Sequence, residues 1–118
     1  MNNSKKTKVY IHKELAQGRW FKLPFFEQMA NVGSEVGRAI NWRVRGGANS
    51  QLAFERALEL LDLTIEDVKN RTRRRELLRV REVLADYFAG DNVYQSSDTS
   101  WQNYFYAFNY AARLGMGV

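Results

Sequence analysis

The sequence predicts an all-α fold: an antiparallel, up-down-up-down four-helix bundle with a flexible basic N-terminal tail. Apolar residues recur at steps of three and four along four separate segments, which is the spacing of amphipathic helices. The segments are joined by short connections, and short loops between long helices favour antiparallel neighbours. With 118 residues, the chain is long enough for one hydrophobic core but not for two. We therefore expect a single bundle domain.

The start of the chain differs in composition from the rest. Residues 1–22 carry six lysines and arginines against one glutamate, a net charge of +5. The first residues also offer little apolar surface to bury, so we predict a basic tail over residues 1–22 that is partly disordered. Residues 9–15 within it are compatible with either a short helix or a strand. Residues 23–115 hold the four periodic segments and are predicted to form the bundle.

The first helix is predicted over residues 25–45. Pro24 marks its start, because a helix does not need the amide hydrogen that proline lacks at its first position, and two glycines mark its end. Gly33 and Gly37 lie inside this helix, where each glycine costs about 1 kcal/mol relative to alanine. They indicate that another helix passes very close, with a ligand approaching the backbone as the alternative.

The second helix is predicted to begin near Asn49 or Ser50, either of which can cap its first free amides, and to continue to about residue 66. Four acidic residues follow one another at steps of four, three and four along one edge of it: Glu55, Glu59, Asp62 and Glu66. We interpret them as ion-pair partners for basic residues of the next helix. A metal site is the alternative, but carboxylate-bridged sites in bundles use Glu-x-x-His patterns, and His12, the only histidine, lies in none.

The third helix carries the most distinctive pattern of the chain. It is predicted to follow a turn over residues 67–72 and to continue to about residue 89, with Leu77, Val80 and Leu84 in its apolar stripe. Around that stripe, six arginines occur within eleven residues: Arg71, Arg73, Arg74, Arg75, Arg79 and Arg81. Residues 69–81 contain seven basic side chains and one acidic one, a net charge of +6. Because the whole chain has a net charge of +5, the rest of the bundle is mildly acidic.

The basic tail over residues 1–22 and the arginine-rich segment over residues 69–81 are the candidate binding surface for a nucleic acid, RNA or DNA. Arginine offers paired donors that match phosphate oxygens, and clustered positive charge is typical of proteins that meet phosphate. The predicted nucleic-acid-binding residues are the six arginines together with Lys5, Lys6 and Lys8. The alternative is a structural or protein-interaction bundle whose arginines pair with its own carboxylates, for example Arg75 and Arg79 with Glu55, Glu59 or Asp62.

The fourth helix is predicted over residues 98–114, after a polar stretch that ends in good N-cap residues. Trp101 and Phe108 belong to its buried stripe. The segment has more aromatic residues than one face can bury, so Tyr106 and Tyr110 are expected at the surface. Their role is left open between stacking on bases, packing against another subunit and covering the rim of the core.

The composition argues against most enzyme classes. There is no cysteine, which excludes disulfides, thiolate nucleophiles and sulfur-based zinc sites. The chain also lacks a histidine placed to pair with a serine and a glycine-rich phosphate loop. We therefore predict a non-enzymatic protein without catalytic residues, metal or cofactor, and keep a small metal-carboxylate enzyme as a third hypothesis. No apolar run approaches the roughly 18 residues of a membrane span, so we expect a cytoplasmic protein that does not enter a membrane.

Three stretches of the chain resemble a known family. They are FFEQMANVGSEV at residues 25–36, ALELLDLT at residues 57–64 and YFYAFNYAAR at residues 104–113. Together they resemble the accessory variability determinant proteins of diversity-generating retroelements, a group of small four-helix bundles related to those encoded in ribosomal RNA intervening sequences. The resemblance covers residues 20–114 and rests on packing patterns, not on catalytic motifs.

The resemblance implies both partners and a function. It implies a basic bundle that self-associates into a ring-like pentamer and binds the element's reverse transcriptase and its template RNA. Such a protein supports the mutagenic copying of a template into a variable gene. The positions that match the family's diffuse positive surface are the six arginines between residues 71 and 81, whereas the lysine-rich tail through Lys13 departs from the family.

Overall fold

The computed structural model describes residues 18–115, which form four α-helices. The helices are α1 (Phe25–Arg45), α2 (Asn49–Glu66), α3 (Arg74–Ala89) and α4 (Asp98–Arg113), with short 3-10 segments at Trp20–Lys22 and Val68–Arg73. No strand occurs among the residues described, so the all-α prediction is confirmed. Residues 1–17 of the predicted tail, with Lys5, Lys6 and Lys8, lie outside the described residues.

Both ends of α1 and the start of α4 lie where the sequence predicted them. α1 begins directly after Pro24, and its last turn closes on Gly46, whose φ of +79° is a left-handed conformation that favours glycine. At the start of α4, the Ser97 side chain accepts a hydrogen bond from the Ser100 amide, and the Ser100 hydroxyl oxygen accepts one from the Ser97 amide. This capping box satisfies amides that the helix leaves without partners.

The predicted cap of α2 is wrong. Asn49 is already the first helical residue, and neither it nor Ser50 provides a capping side chain. The Ser50 hydroxyl instead donates to the backbone carbonyl of Ala39, 2.9 Å away on α1. Ser50 therefore joins two helices where the sequence suggested a local cap.

The start of the arginine-rich segment also differs from the prediction. In place of a simple turn, Val68–Arg73 forms a 3-10 helix, and α3 begins at Arg74. The Asp67 side chain begins this segment by accepting a hydrogen bond from the Lys69 amide at 3.1 Å. Consequently Arg71 and Arg73 lie on the 3-10 turn, and the other four arginines lie on α3.

The core is formed by the apolar faces of all four helices. α1 lies centrally, since it packs closely along both α2 and α4. Met29 of α1, Leu61 of α2 and Leu84 of α3 are fully buried at its centre. Trp20 is only 1% exposed and packs against the same cluster, so the core includes the 3-10 segment before α1.

Gly33 marks the closest approach of α4 to α1. A Cβ atom at this position would lie 2.7 Å from the Cβ atom of Phe105, a distance that real Cβ atoms essentially never show. Gly37, one turn later, has nothing within 4 Å of the same point. The prediction of a closely passing helix is thus confirmed at Gly33, whereas no close contact requires glycine at residue 37.

We expect Gly33→Ala and Gly37→Ala to change stability in opposite directions. At residue 33 the clash with Phe105 destabilises the protein more than the higher helix propensity of alanine stabilises it. The free energy of unfolding should therefore fall by about 1–2 kcal/mol. At residue 37 only the higher helix propensity of alanine matters, and it should raise the free energy of unfolding by up to about 1 kcal/mol. Urea denaturation followed by circular dichroism measures both. Destabilisation by both substitutions, or by neither, would contradict the packing described here.

Candidate nucleic-acid interface

The third helix has one buried side and one cationic side. Leu77, Val80 and Leu84 are at most 8% exposed and face the core. The opposite side is an open surface with a shallow depression of about 490 Å³, lined by Arg74, Arg75, Leu78, Arg79 and Glu82. Arg74 and Leu78, and likewise Arg75 and Arg79, are four residues apart, so these neighbouring positions share one helix face. We call the exposed arginines of this region, Arg71, Arg74, Arg75 and Arg79, the arginine face.

Arg81 is the arginine that binds one of the predicted acidic partners. Its Nε donates to Asp62 Oδ1 at 2.6 Å, and its Nη2 donates to Oδ2 at 3.3 Å. The hydrogen bond to the Asp62 carboxylate raises the pKa of Arg81, although partial burial opposes that shift. The bidentate pair joins α2 to α3. It also removes Arg81 from the set of arginines that are free to meet a ligand.

Aromatic and backbone contacts position three more of the arginines. The guanidinium of Arg73 lies 4.2 Å from the centre of the Phe25 ring, and that of Arg79 lies 4.9 Å from the centre of the Tyr94 ring. Such cation-π contacts contribute about 0.5–1 kcal/mol at exposed sites. Arg74 Nε donates to the carbonyl of Ile65 at a longer distance, 3.4 Å. These contacts orient the side chains without neutralising them.

The arginine face keeps its charge. Within residues 18–115, none of its four arginines forms a salt bridge; the ion pairs there are Arg38–Glu35, Arg43–Asp98, Lys69–Asp67 and Arg81–Asp62. The acidic residues of α2 do not neutralise it. Glu55 accepts from Gln51 Nε2 at 3.0 Å, and Glu59 is buried. The predicted row of partners therefore supplies α3 with one ion pair.

A buried polar network that the sequence did not reveal supports the start of the arginine-rich segment. Gln28 is its centre: its Nε2 donates to the Trp20 carbonyl at 3.1 Å and to Asp67 Oδ2 at 2.8 Å, and its Oε1 accepts from Asn70 Nδ2 at 2.9 Å. Asn70 Nδ2 also donates to the Thr64 carbonyl, and Trp20 Nε1 donates to the Thr64 hydroxyl. Both Gln28 and Asn70 are 0% exposed.

The network fixes the 3-10 turn that carries Arg71 and Arg73. Asp67 is its charged member and is buried, with the Lys69 ammonium beside it. Burial alone would raise the pKa of Asp67, but hydrogen bonds from Lys69 and Gln28 outweigh that effect and lower it. The carboxylate therefore stays ionised as the acceptor around which the turn is built. In the sequence, the one available signal was a polar residue, Gln28, within the apolar stripe of the first helix.

Two tyrosines of α4 are exposed at the surface, as the sequence predicted. Tyr106 is 60% exposed and Tyr110 is 50% exposed, which confirms that they lie outside the core. Their rings stack on each other with centres 6.3 Å apart and planes 20° apart. They therefore form a flat apolar patch on the outside of the fourth helix.

The described residues contain neither a metal-site cluster nor a membrane-spanning helix. Residues 18–115 contain no group of three or more histidine, aspartate or glutamate side chains that could hold a metal ion. Over the same range, no helix is both long enough and apolar enough to cross a membrane. Comparison with protein-family models, curated proteins and solved structures found no match. The described residues thus form an all-helical fold whose arginine face is not neutralised by ion pairs.

Proposed function

We propose that this protein binds nucleic acid through its arginine face. The observation that carries the proposal is that Arg71, Arg74, Arg75 and Arg79 are exposed and form no salt bridge within residues 18–115. Guanidinium groups bind phosphate oxygens with two parallel hydrogen bonds, a geometry that lysine cannot provide. A phosphate backbone offers such anions at regular spacing along its length. The 3-10 turn and α3 present the four arginines within nine residues of each other in the chain, so several phosphates can be bound at once.

We further propose that the protein is a non-enzymatic accessory protein of a diversity-generating retroelement. In this role it binds the element's reverse transcriptase and its template RNA and supports mutagenic reverse transcription. The support is the resemblance of three helical stretches to the accessory variability determinant family, together with the all-helical fold. The same proposal includes the up-down-up-down topology, a basic tail with Lys5, Lys6 and Lys8 as additional contacts, a pentameric assembly and a cytoplasmic location.

RNA binding by the full chain should depend steeply on salt. Each phosphate contact releases condensed counterions, so several contacts make the affinity fall by orders of magnitude between about 50 and 200 mM salt. Fluorescence anisotropy of a labelled RNA, titrated at several salt concentrations, measures this dependence. A weak interaction with a flat salt dependence would contradict the proposal, because it would show that few phosphates are neutralised.

The reverse-transcriptase part of the proposal has a separate test. A tagged reverse transcriptase from a diversity-generating retroelement is expected to retain this protein on a column, with its template RNA present. A nuclease-treated sample is the control, because it distinguishes a protein contact from bridging by RNA. If the protein binds RNA but is not retained in either sample, the accessory role is contradicted and nucleic-acid binding stands.

A structural or protein-interaction bundle is the second candidate function. It is favoured by the Arg81–Asp62 ion pair and by the exposed, stacked Tyr106 and Tyr110, which suit a protein contact. Filter binding with RNA and with double-stranded DNA separates the two candidates. Retention of neither nucleic acid at low salt would favour the structural role.

A further inference from the structure

An exposed tyrosine borders the arginine face. Tyr94 lies in the connection between α3 and α4 and is 40% exposed. The centre of its ring is 4.9 Å from the Arg79 guanidinium, and Arg79 also lines the depression on α3. Leu78, which is 50% exposed, lines the same depression. The cationic surface therefore also offers apolar and aromatic contact area, which phosphate oxygens cannot use.

The backbone at Tyr94 is fastened to α3 by Asp86. The Asp86 carboxylate accepts hydrogen bonds from the amides of Val93 at 2.9 Å and of Tyr94 at 3.0 Å. The Asp86 carbonyl accepts from the amides of Gly90 at 3.1 Å and of Asn92 at 3.2 Å. All four donors are backbone amides, so a change of the Tyr94 side chain leaves these bonds in place. The connection therefore holds residue 94 at a fixed position beside α3.

The Tyr94 side chain is also held in place. Its hydroxyl donates to the Glu82 carboxylate, and its ring contacts the Arg79 guanidinium. Glu82 and Arg79 are three positions apart on α3, a spacing at which opposite charges can pair. Among residues 18–115, however, Arg79 forms no salt bridge. The ring is thus oriented before a ligand binds, which reduces the entropy lost when a ligand packs on it.

We propose that Tyr94 stacks on one unpaired nucleobase of a strand whose phosphates lie on the arginine face. The inference rests on the proposed nucleic-acid binding and adds to it a preference for single strands. Every base has a planar face that stacks on an aromatic ring, and an arginine beside the ring adds to the interaction. Arg79 is free of ion pairs and can bind a phosphate next to the stacked base. In a duplex the bases stack on each other, so their faces are not open to a side chain.

Tyr94→Leu and Tyr94→Phe test the inference in the full chain. Leucine removes the aromatic ring, whereas phenylalanine keeps the ring and removes only the hydroxyl bond to Glu82. The probes are a mixed-sequence single-stranded RNA and a blunt RNA duplex, compared by fluorescence anisotropy at one salt concentration. We expect Tyr94→Leu to weaken single-strand binding about five-fold or more, the effect of one lost base stack.

The other three affinities should change little. Without the hydroxyl bond, Glu82 is released and can form one weak surface pair with Arg79. Single-strand binding by Tyr94→Phe should therefore stay within about two-fold of the wild type, and so should duplex binding by both variants.

Tyr110→Leu is the matched control for the loss of a surface tyrosine. Tyr110 is 50% exposed on α4, where its ring stacks on Tyr106. It does not belong to the arginine face, so its replacement should alter neither affinity. A salt titration gives a second readout. A lost base stack leaves the number of neutralised phosphates unchanged, so Tyr94→Leu should keep the wild-type slope of affinity against salt on a logarithmic scale.

The outcomes separate the stacking residue from the arginine face. If the wild type binds single-stranded RNA and Tyr94→Leu leaves that affinity unchanged, Tyr94 is not a stacking residue and the arginine face still stands. Equal weakening of single-strand and duplex binding, or a flatter salt slope, would also overturn the inference, because Tyr94 would then act only through Arg79. Equal weakening by Tyr110→Leu would overturn the assignment to Tyr94. Absence of wild-type binding to both RNAs would contradict nucleic-acid binding itself.

Discussion

Gln28→Met is expected to lower the free energy of unfolding by about 3–5 kcal/mol. Methionine has nearly the same length, so the packing of α1 is kept while the hydrogen bonds are lost. The Trp20 carbonyl, the Asp67 carboxylate and the Asn70 amide would each lose a partner inside the protein. Each of these groups keeps another partner, so the cost is that of three buried hydrogen bonds, about 0.5–1.5 kcal/mol for each neutral one and about 1.5–3 kcal/mol for the one to the carboxylate. The expected sum is a large fraction of the stability of a small domain.

Gln51→Met is the matched control for this prediction. Gln51 is exposed on α2, and its side chain hydrogen-bonds only the nearby Glu55 side chain within the described residues, so its replacement should change stability by less than about 0.5 kcal/mol. Urea denaturation of both variants and of the wild type gives the comparison. Similar unfolding midpoints for the two variants would show that the buried network contributes little.

The largest expected effect on binding comes from replacing three residues of the arginine face, Arg71, Arg74 and Arg75, with glutamine. Glutamine keeps a polar side chain but removes the charge, so three phosphate contacts are lost or weakened. We expect RNA affinity to fall on the order of ten-fold or more at moderate salt. Arg73 is left in place because it packs on Phe25. The circular dichroism spectrum should not change, since all three side chains are exposed.

A charge-matched control separates the position of the arginines from their number. Lys22, Arg45 and Arg113 are exposed and do not belong to the arginine face, and their replacement by glutamine removes the same three charges. This control should keep most of the RNA affinity at moderate salt, because none of the three side chains belongs to the proposed contact surface. Equal losses in both triple variants would mean that net charge, and not a defined face, attracts the RNA.

Features set by neighbouring residues could be read from the sequence. The range of α1 is as predicted because Pro24 and Gly46 act on the helix ends directly, and the start of α4 follows its own serine pair. The exposure of Tyr106 and Tyr110 followed from counting aromatic residues against one helix face. In each case the determining residues lie within a few positions of the feature that they determine.

Features set by distant residues could not be read in this way. The 3-10 turn before α3 is held by Asn70 through Gln28, which is 42 positions earlier in the chain. The pairing of Asp62 with Arg81, in place of Arg75 or Arg79, depends on how α2 and α3 are rotated against each other. The sequence identified the arginine cluster as the candidate site, but which of its members stay free of ion pairs emerged from that packing.

The slope of RNA affinity against salt concentration tests the central claim most directly. It should be measured on a logarithmic scale for the wild type, the Arg71, Arg74 and Arg75 triple variant, and the charge-matched control. Each phosphate contact contributes about 0.7–0.9 to the slope, so the triple variant should lose about two to three, while the control keeps the wild-type slope. The same slope in the wild type and in the triple variant would contradict the claim that the arginine face binds the phosphate backbone.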